Sequence, residues 1–249
     1  MVSLIEAVIL SLVQGITEWL PVSSSGHLAL IQEIFGFQNL AYDVFLHFAS
    51  IFAIIVIFFW DIIGIFRVKN LKYLFLLIIG LIPAAIVGFI FQNEIASLFS
   101  NLFYLGLFFI FSGIVVYSTK FSMESKNNLN FFDSLFIGLF QAIAILPGIS
   151  RSGMTISSGL FRGLTKRASI KFSFLMAIPI ILGASLFQLE NLILSEINYY
   201  LLVISFMITF FISLLTIKLL IKIINSNNFY LFGIYNLILG VIILIWSLM

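Results

Sequence analysis

Two short segments bring titratable and hydroxyl side chains into an otherwise apolar chain. In the first, Gln14, Glu18, Ser23, Ser24, Ser25 and His27 follow one another closely. Gln14 and Glu18 stand at i and i+4, on one face of a helix. Pro21 then ends the regular helix, so the serine run can fold back towards Glu18. A carboxylate, an imidazole and a hydroxyl gathered in a dry cavity are the parts of a general-base or nucleophilic centre. Each also has a plainer reading: Glu18 as one half of a structural ion pair with Arg151, His27 as a satisfied core histidine, and the serines as a helix cap.

The second segment centres on Arg151, which follows the uncharged run Ser134 to Ser150 and precedes any further charge until Arg162. Its planar fork of donors suits phosphate oxygens. Ser150, Ser152 and Thr155, with backbone amides bared by Gly148 and Gly153 at a half-helix N-terminus, would add donors and a favourable dipole. The segment reads as an anion cradle, against the alternatives of a structural ion pair or a snorkelling side chain. His47, the other histidine, begins an apolar span near one interface and reads as structural. Asp43, Asp61, Glu94, Asp133, Glu190 and Glu196 fall at span ends or in loops and read as solvated charges.

What must position these groups follows from composition. The 249 residues are 62% hydrophobic and 16% aromatic, with 30 Phe, only 9% charged residues and a mean hydropathy of +1.23. Soluble domains run about 25% charged, so a cytosolic enzyme, a nucleic-acid binder and a disordered chain are excluded, and the bilayer is the solvent. A net charge of +2 is too small to imply a polyanionic partner, and the absence of cysteine removes disulfides and thiolate chemistry. The opening Met1 to Glu6 lacks a basic n-region, so the first apolar stretch is expected to belong to the mature protein.

A crossing needs ~20 apolar residues. Val44 to Trp60, Tyr73 to Asn93, Ile95 to Thr119, Phe172 to Leu189, Ile197 to Ile217 and Ile223 to Met249 are uncharged or nearly so, giving about six transmembrane helices. Residues 1–35 and 131–163 fit badly, because Pro21 and the serines interrupt one and Pro147, Gly148 and Arg151 the other. Freed backbone at membrane depth is tolerated only inside protein or beside a cavity, so both read as broken or re-entrant helices. Arg67, Lys69 and Lys72, then Lys120 and Lys126, then Arg162, Lys166, Arg167 and Lys171, then Lys218 and Lys222 mark four cytoplasmic loops. The loops around Phe37 to Tyr42, Gln92 to Asn101 and Gln188 to Tyr199 carry no Lys or Arg and are external by the positive-inside rule.

A shift of 127 residues aligns Gln14 with Gln141, Ser23 with Ser150, Ser25 with Ser152 and Gly26 with Gly153. The expected fold is therefore an all-α integral membrane protein, a polytopic inverted-repeat bundle whose halves cover about 1–126 and 127–249. Such repeats place a substrate site near the midplane, where broken helices meet. An apolar groove between the Phe-rich spans would suit an acyl or prenyl chain. Transporters share this architecture, so a polyprenyl-phosphate transporter or flippase is the rival reading; transport needs the Arg151 cradle but no activated nucleophile.

The segments Gln14-Gly15-Ile16-Thr17-Glu18-Trp19-Leu20-Pro21-Val22-Ser23-Ser24-Ser25-Gly26-His27 and Pro147-Gly148-Ile149-Ser150-Arg151-Ser152-Gly153-Met154-Thr155 resemble the two signature segments of the undecaprenyl-diphosphatases, also called bacitracin-resistance proteins. The resemblance implies a membrane phosphatase that removes the terminal phosphate of a polyprenyl diphosphate and regenerates the lipid carrier for cell-envelope glycans. It carries catalytic roles onto Glu18, Ser24, His27 and Arg151. Gln14, Ser23, Ser25, Gly148, Ser150, Ser152 and Thr155 are the expected substrate contacts. Many members have Glu where this chain has Gln14, which leaves Glu18 to act alone. A divalent cation, Mg or Ca, if used, would be held mainly by Glu18 and the diphosphate. An external opening of the site and a homodimer are further implications of the resemblance.

Overall fold

The computed structural model describes residues 2–36, 38–67, 70–99, 101–194, 197–225 and 228–249. Phe37, Lys69 and Glu196, placed in loops by the sequence, lie outside the described residues. Among those described, the chain is all-helical, with twelve α-helices and one 3-10 turn.

Proline and serine build the two broken regions in the same way. Helix α1 (Leu4–Thr17) starts on a capping box in which Ser3 and Glu6 bond each other's backbone. It stops at Thr17, four residues before Pro21, whose ring would strike that carbonyl. After the break, Ser23 caps α2 (Ser24–Phe35) by accepting from the Gly26 amide. In the second region α8 (Phe131–Ile143) stops four residues before Pro147, and Ser150 caps α9 (Arg151–Phe161) by accepting from the Gly153 amide. The second helix of each pair packs against the first, α2 on α1 and α9 on α8.

Between and after them run α3 (Leu40–Ile57), α4 (Phe59–Ile65), α5 (Leu71–Ile90), α6 (Gln92–Leu98), α7 (Leu102–Ser118), α10 (Lys166–Leu194), α11 (Tyr199–Asn225) and α12 (Leu231–Ser247). Five helices, α3, α5, α7 with its 3-10 extension, α10 and α11, are long and apolar enough to cross a bilayer. The expected crossing from Ile95 to Thr119 is split, because Asn101 caps α7 by accepting from the Phe103 and Tyr104 amides and leaves α6 as a separate short helix. The crossing expected from Ile223 to Met249 is also shorter than its apolar run. Helix α11 continues through Lys218 and Lys222 to Asn225, so α12 keeps 17 residues, the low end of the roughly 17–25 range.

Lipid tails are as apolar as the helices, so close backbone approach through glycine does much of the packing. Gly106 and Gly113 of α7 meet Gly240 and Gly233 of α12: a Cβ on Gly233 would lie 2.7 Å from the Gly113 carbonyl oxygen, and one on Gly240 2.8 Å from that of Gly106. Gly138 of α8 presses on Gly80 of α5, where a Cβ would come within 2.5 Å of the Gly80 oxygen. Thus α8 lies on α5, as α1 lies on α11, while α3 packs against both α10 and α11.

Ion pairs gather one face of the bundle. Lys171 bonds Asp61 at 2.5 Å, Lys166 bonds Glu124 at 3.3 Å, and the buried Asp133 receives Lys126 at 2.6 Å and Arg162 at 2.9 Å. Three of the four basic loops are therefore tied together on one side. Asp133 is not a solvated charge, as its position had suggested; it has no exposed side-chain surface and closes the α8 capping box besides.

Candidate active site

The two breaks meet at the centre of the bundle. A Cβ on Gly26 would lie 3.0 Å from the Gly148 Cα, so neither glycine has room for a side chain at this crossing. Gly148 turns the chain with φ +92, open to glycine at little cost. The Ser152 hydroxyl donates to the Leu20 carbonyl at 2.9 Å, and the Asn236 amide donates to the Pro21 carbonyl at 2.8 Å, so backbone freed by Pro21 is satisfied from other helices. Ser23, at φ +66, is the one described non-glycine residue with positive φ. Its strained backbone turns the chain sharply enough to bring Ser24 back beside Glu18.

Glu18 is the hub. Its Oε1 accepts from Arg151 Nη2 at 2.5 Å. Its Oε2 accepts from the Ser24 hydroxyl at 2.6 Å and from Gln14 Nε2 at 3.1 Å, and lies 3.2 Å from His47 Nε2. The same His47 nitrogen is 3.2 Å from Ser24 Oγ. His47 Nδ1 donates to the Asp43 carbonyl at 2.7 Å, which places its proton on Nδ1 and leaves Nε2 to take up or give a proton. Asp43 is itself held by the Gln32 amide, and Gln32 accepts from the Asn39 backbone. Arg151 also lies over the buried Trp19 ring at 5.4 Å, and Trp19 packs edge-on against Phe174. Its Nη1 has no protein partner.

These groups stand at the polar end of a cavity of about 660 Å³. Glu18, Ser23, Ser24, Ser25, His47, Ser150 and Arg151 line that end, and α3, α5, α6, α8 and α10 supply apolar walls. Of the expected residues, the structure thus brings together Glu18, Ser24 and Arg151, with Ser23, Ser25 and Ser150 beside them and Gln14 fastened behind Glu18. Ser152, Thr155 and Gly148 do not line the cavity. Ser152 bonds Leu20, Thr155 bonds Ser173 at 2.6 Å and the Arg151 carbonyl at 2.8 Å, and Gly148 is packed on Leu105. They hold the segment that presents Arg151.

His27 is not brought to this cluster. Its Nδ1 is bound to the Ser23 carbonyl and its Nε2 to the Tyr235 hydroxyl, both at 2.7 Å, and its ring stacks on Tyr235 and meets Phe109 edge-on. The bond back to Ser23 turns the ring towards α7 and α12, away from the cavity. The imidazole beside Ser24 is that of His47, which the sequence had suggested was structural. A signal for it exists: Asp43, His47 and Ser50 recur at i, i+4 and i+7, a polar stripe along an apolar span. Asp43, expected to be solvated, is buried and lines the same cavity, as does Gln141.

The donor set does not suit a divalent cation held by protein groups. Hard cations take several free oxygens. Both Glu18 oxygens are already bonded, one of them to a guanidinium, and no group of three His, Cys, Asp or Glu is close enough among the described residues.

Residues 7–242 match the family model described as bacitracin resistance protein BacA. The chain is 38% identical to an undecaprenyl-diphosphatase of Carboxydothermus hydrogenoformans, over 96% of each chain. It is 40% identical to one of Thermosipho africanus, over 94% of this chain and 97% of the other. It is also 40% identical to one of Pelagibacter ubique, over 98% and 97%.

Proposed function

The chain belongs to the bacitracin resistance protein family, and from that premise we propose that it hydrolyses the terminal phosphate of a polyprenyl diphosphate, undecaprenyl diphosphate in its relatives' names, to the monophosphate carrier and inorganic phosphate. The observation that carries this reading is Arg151: one guanidinium nitrogen is tied to Glu18, the other is unpartnered, and the two stand at the polar head of an otherwise apolar cavity. An amphiphile with an anionic head fits both ends at once.

In this reading the diphosphate is gripped by Arg151, with Ser23, Ser25 and Ser150 as further donors. The Ser24 oxygen attacks the terminal phosphorus, and its proton passes to the Glu18 and His47 pair that contacts it. The bond from phosphorus to the bridging oxygen breaks and polyprenyl monophosphate leaves. Water then attacks the phosphoserine and passes a proton to the same pair, the phosphorus–Oγ bond breaks, the proton first taken from Ser24 returns to Oγ, and phosphate leaves with the water's proton. Arg151 offsets the charge gathering on the transferring group, a contribution that is normally large. His27 in this scheme holds the Ser23 turn from behind.

We also propose that the cavity opens externally. Its lining comes from the start of α3, from α6 and from the later part of α10, the ends opposite the ion-paired basic loops. With those loops cytoplasmic, the opening faces outward. The transporter reading is not favoured by the names of the relatives, and it leaves unused a hydroxyl bonded to a carboxylate and beside an imidazole. The test is phosphate release from undecaprenyl diphosphate by purified protein beside Ser24→Ala. Wild type that binds the lipid but frees no phosphate would overturn the proposal, and a Ser24→Ala enzyme of undiminished rate would overturn the role of Ser24.

A further inference from the structure

Most helical glycines of this chain are required by close packing, but Gly64, Gly88 and Gly183 are not. A Cβ on Gly80, Gly106, Gly113, Gly138, Gly233 or Gly240 would meet a neighbouring atom at 2.9 Å or less. A Cβ on Gly183 would meet nothing within 4 Å, and one on Gly88 only the Ile145 side-chain tip at 3.6 Å. Both line the large cavity, Gly88 from α5 and Gly183 from α10. Glycine inside a helix costs about 1 kcal/mol relative to alanine. No protein neighbour at either position accounts for that cost, and unlike Gly64 both open onto the cavity.

The same walls are otherwise small: Ala84 and Ala85 precede Gly88 on α5, and Ala184 follows Gly183 on α10. Each wall also carries an intrahelical proline, Pro83 and Pro179, a few residues earlier. The slot is continuous with the polar end that holds Glu18 and Arg151. Within the cavity Gln141, 1% exposed, has a side-chain oxygen with no protein partner, an unfilled polar position in a space otherwise shaped for hydrocarbon.

We propose that Gly88 and Gly183 set the gauge of a slot for the first isoprene units of the lipid tail, and so select a methyl-branched polyprenyl chain at the site described above. This rests on the phosphatase reading for the identity of the headgroup and extends it to the tail. A branched chain is wider than a straight alkyl chain at every isoprene unit, and two missing Cβ atoms in the cavity lining supply that width. Filling the slot with a side chain should exclude the tail and leave the phosphate site untouched.

Gly88→Leu and Gly183→Leu test this, since leucine is a strong helix former and neither position is crowded. Each variant is assayed with undecaprenyl diphosphate and with methyl diphosphate, which has no isoprene tail. The expected result is a fall in kcat/KM of about ten-fold or more for the long lipid, carried by KM, with the short substrate changed less than about two-fold. Equal losses on both substrates, or no loss on either, would overturn the slot while leaving the phosphatase reading in place. A second measurement does not depend on turnover: polyprenyl monophosphate bearing a diazirine in its first isoprene unit should label α5 or α10 peptides in wild type and lose that label in Gly183→Leu. Labelling elsewhere sinks the proposal. Wild type inactive on both substrates yet labelled in α5 or α10 would instead sink the phosphatase reading alone.

Discussion

Glu18 and Arg151 come from opposite halves of the chain and share a 2.5 Å ion pair with little solvent around either side chain. Neither is stable there without the other, because a lone buried charge is far more costly than a paired one. Arg151 and Ser24 line one cavity, and Arg151 Nη1 has no protein partner.

Arg151→Lys keeps the charge but loses the fork that reaches Glu18 and a phosphate together. Phosphate-release kinetics should show kcat lower by about a hundred-fold or more. A change confined to KM would remove Arg151 from the transition state.

His47→Gln should lower kcat for phosphate release by about a hundred-fold, because Ser24 loses the imidazole nitrogen 3.2 Å from its oxygen. His27→Gln breaks its bonds to Ser23 and Tyr235 and should lower thermal stability by about 1–3 kcal/mol. Its kcat should fall far less than that of His47→Gln, and the reverse ranking of the two losses would return the base to His27.

Glycine contacts between α7 and α12 predict a sharp contrast in melting experiments in detergent. A Cβ on Gly233 would lie 2.4 Å from the Tyr117 backbone nitrogen, so Gly233→Ala should cost about 1–3 kcal/mol. At Gly64 a Cβ meets nothing within 4 Å, and Gly64→Ala there should not destabilise.

Orientation can be read with single cysteines, because the chain has none of its own. Asn93→Cys in α6 and Lys120→Cys in the 3-10 turn both replace exposed residues. An impermeant maleimide on intact cells should label the first and miss the second until the membrane is opened. The reverse pattern would place the cavity mouth in the cytoplasm.

Much of the site was legible because its causes are local. Pro21 and Pro147 each end a helix four residues upstream, Ser23 and Ser150 each cap the next, and the only arginine inside an apolar run faces the carboxylate between Gln14 and Pro21. What escaped depends on partners distant in sequence. His47 was judged by its depth, while its contacts with Ser24 and Glu18 come from the fold bringing them beside it. Asp133 looked like a loop charge because Lys126 and Arg162, which bury it, come from two other segments. The split at Asn101 was hidden because the run from Ile95 to Thr119 carries no charge, and a cap changes chain direction without changing hydropathy.

The cluster of Asp61–Lys171, Glu124–Lys166 and Asp133 with its two cations laces one end of the bundle across three loops. A barrel of helices laced at its base can spread only at its rim. Guests as long as a lipid would then be admitted by splaying helix tips at the far end, and amide hydrogen exchange should be slowest at the laced base and fastest around α6 and the tail of α10.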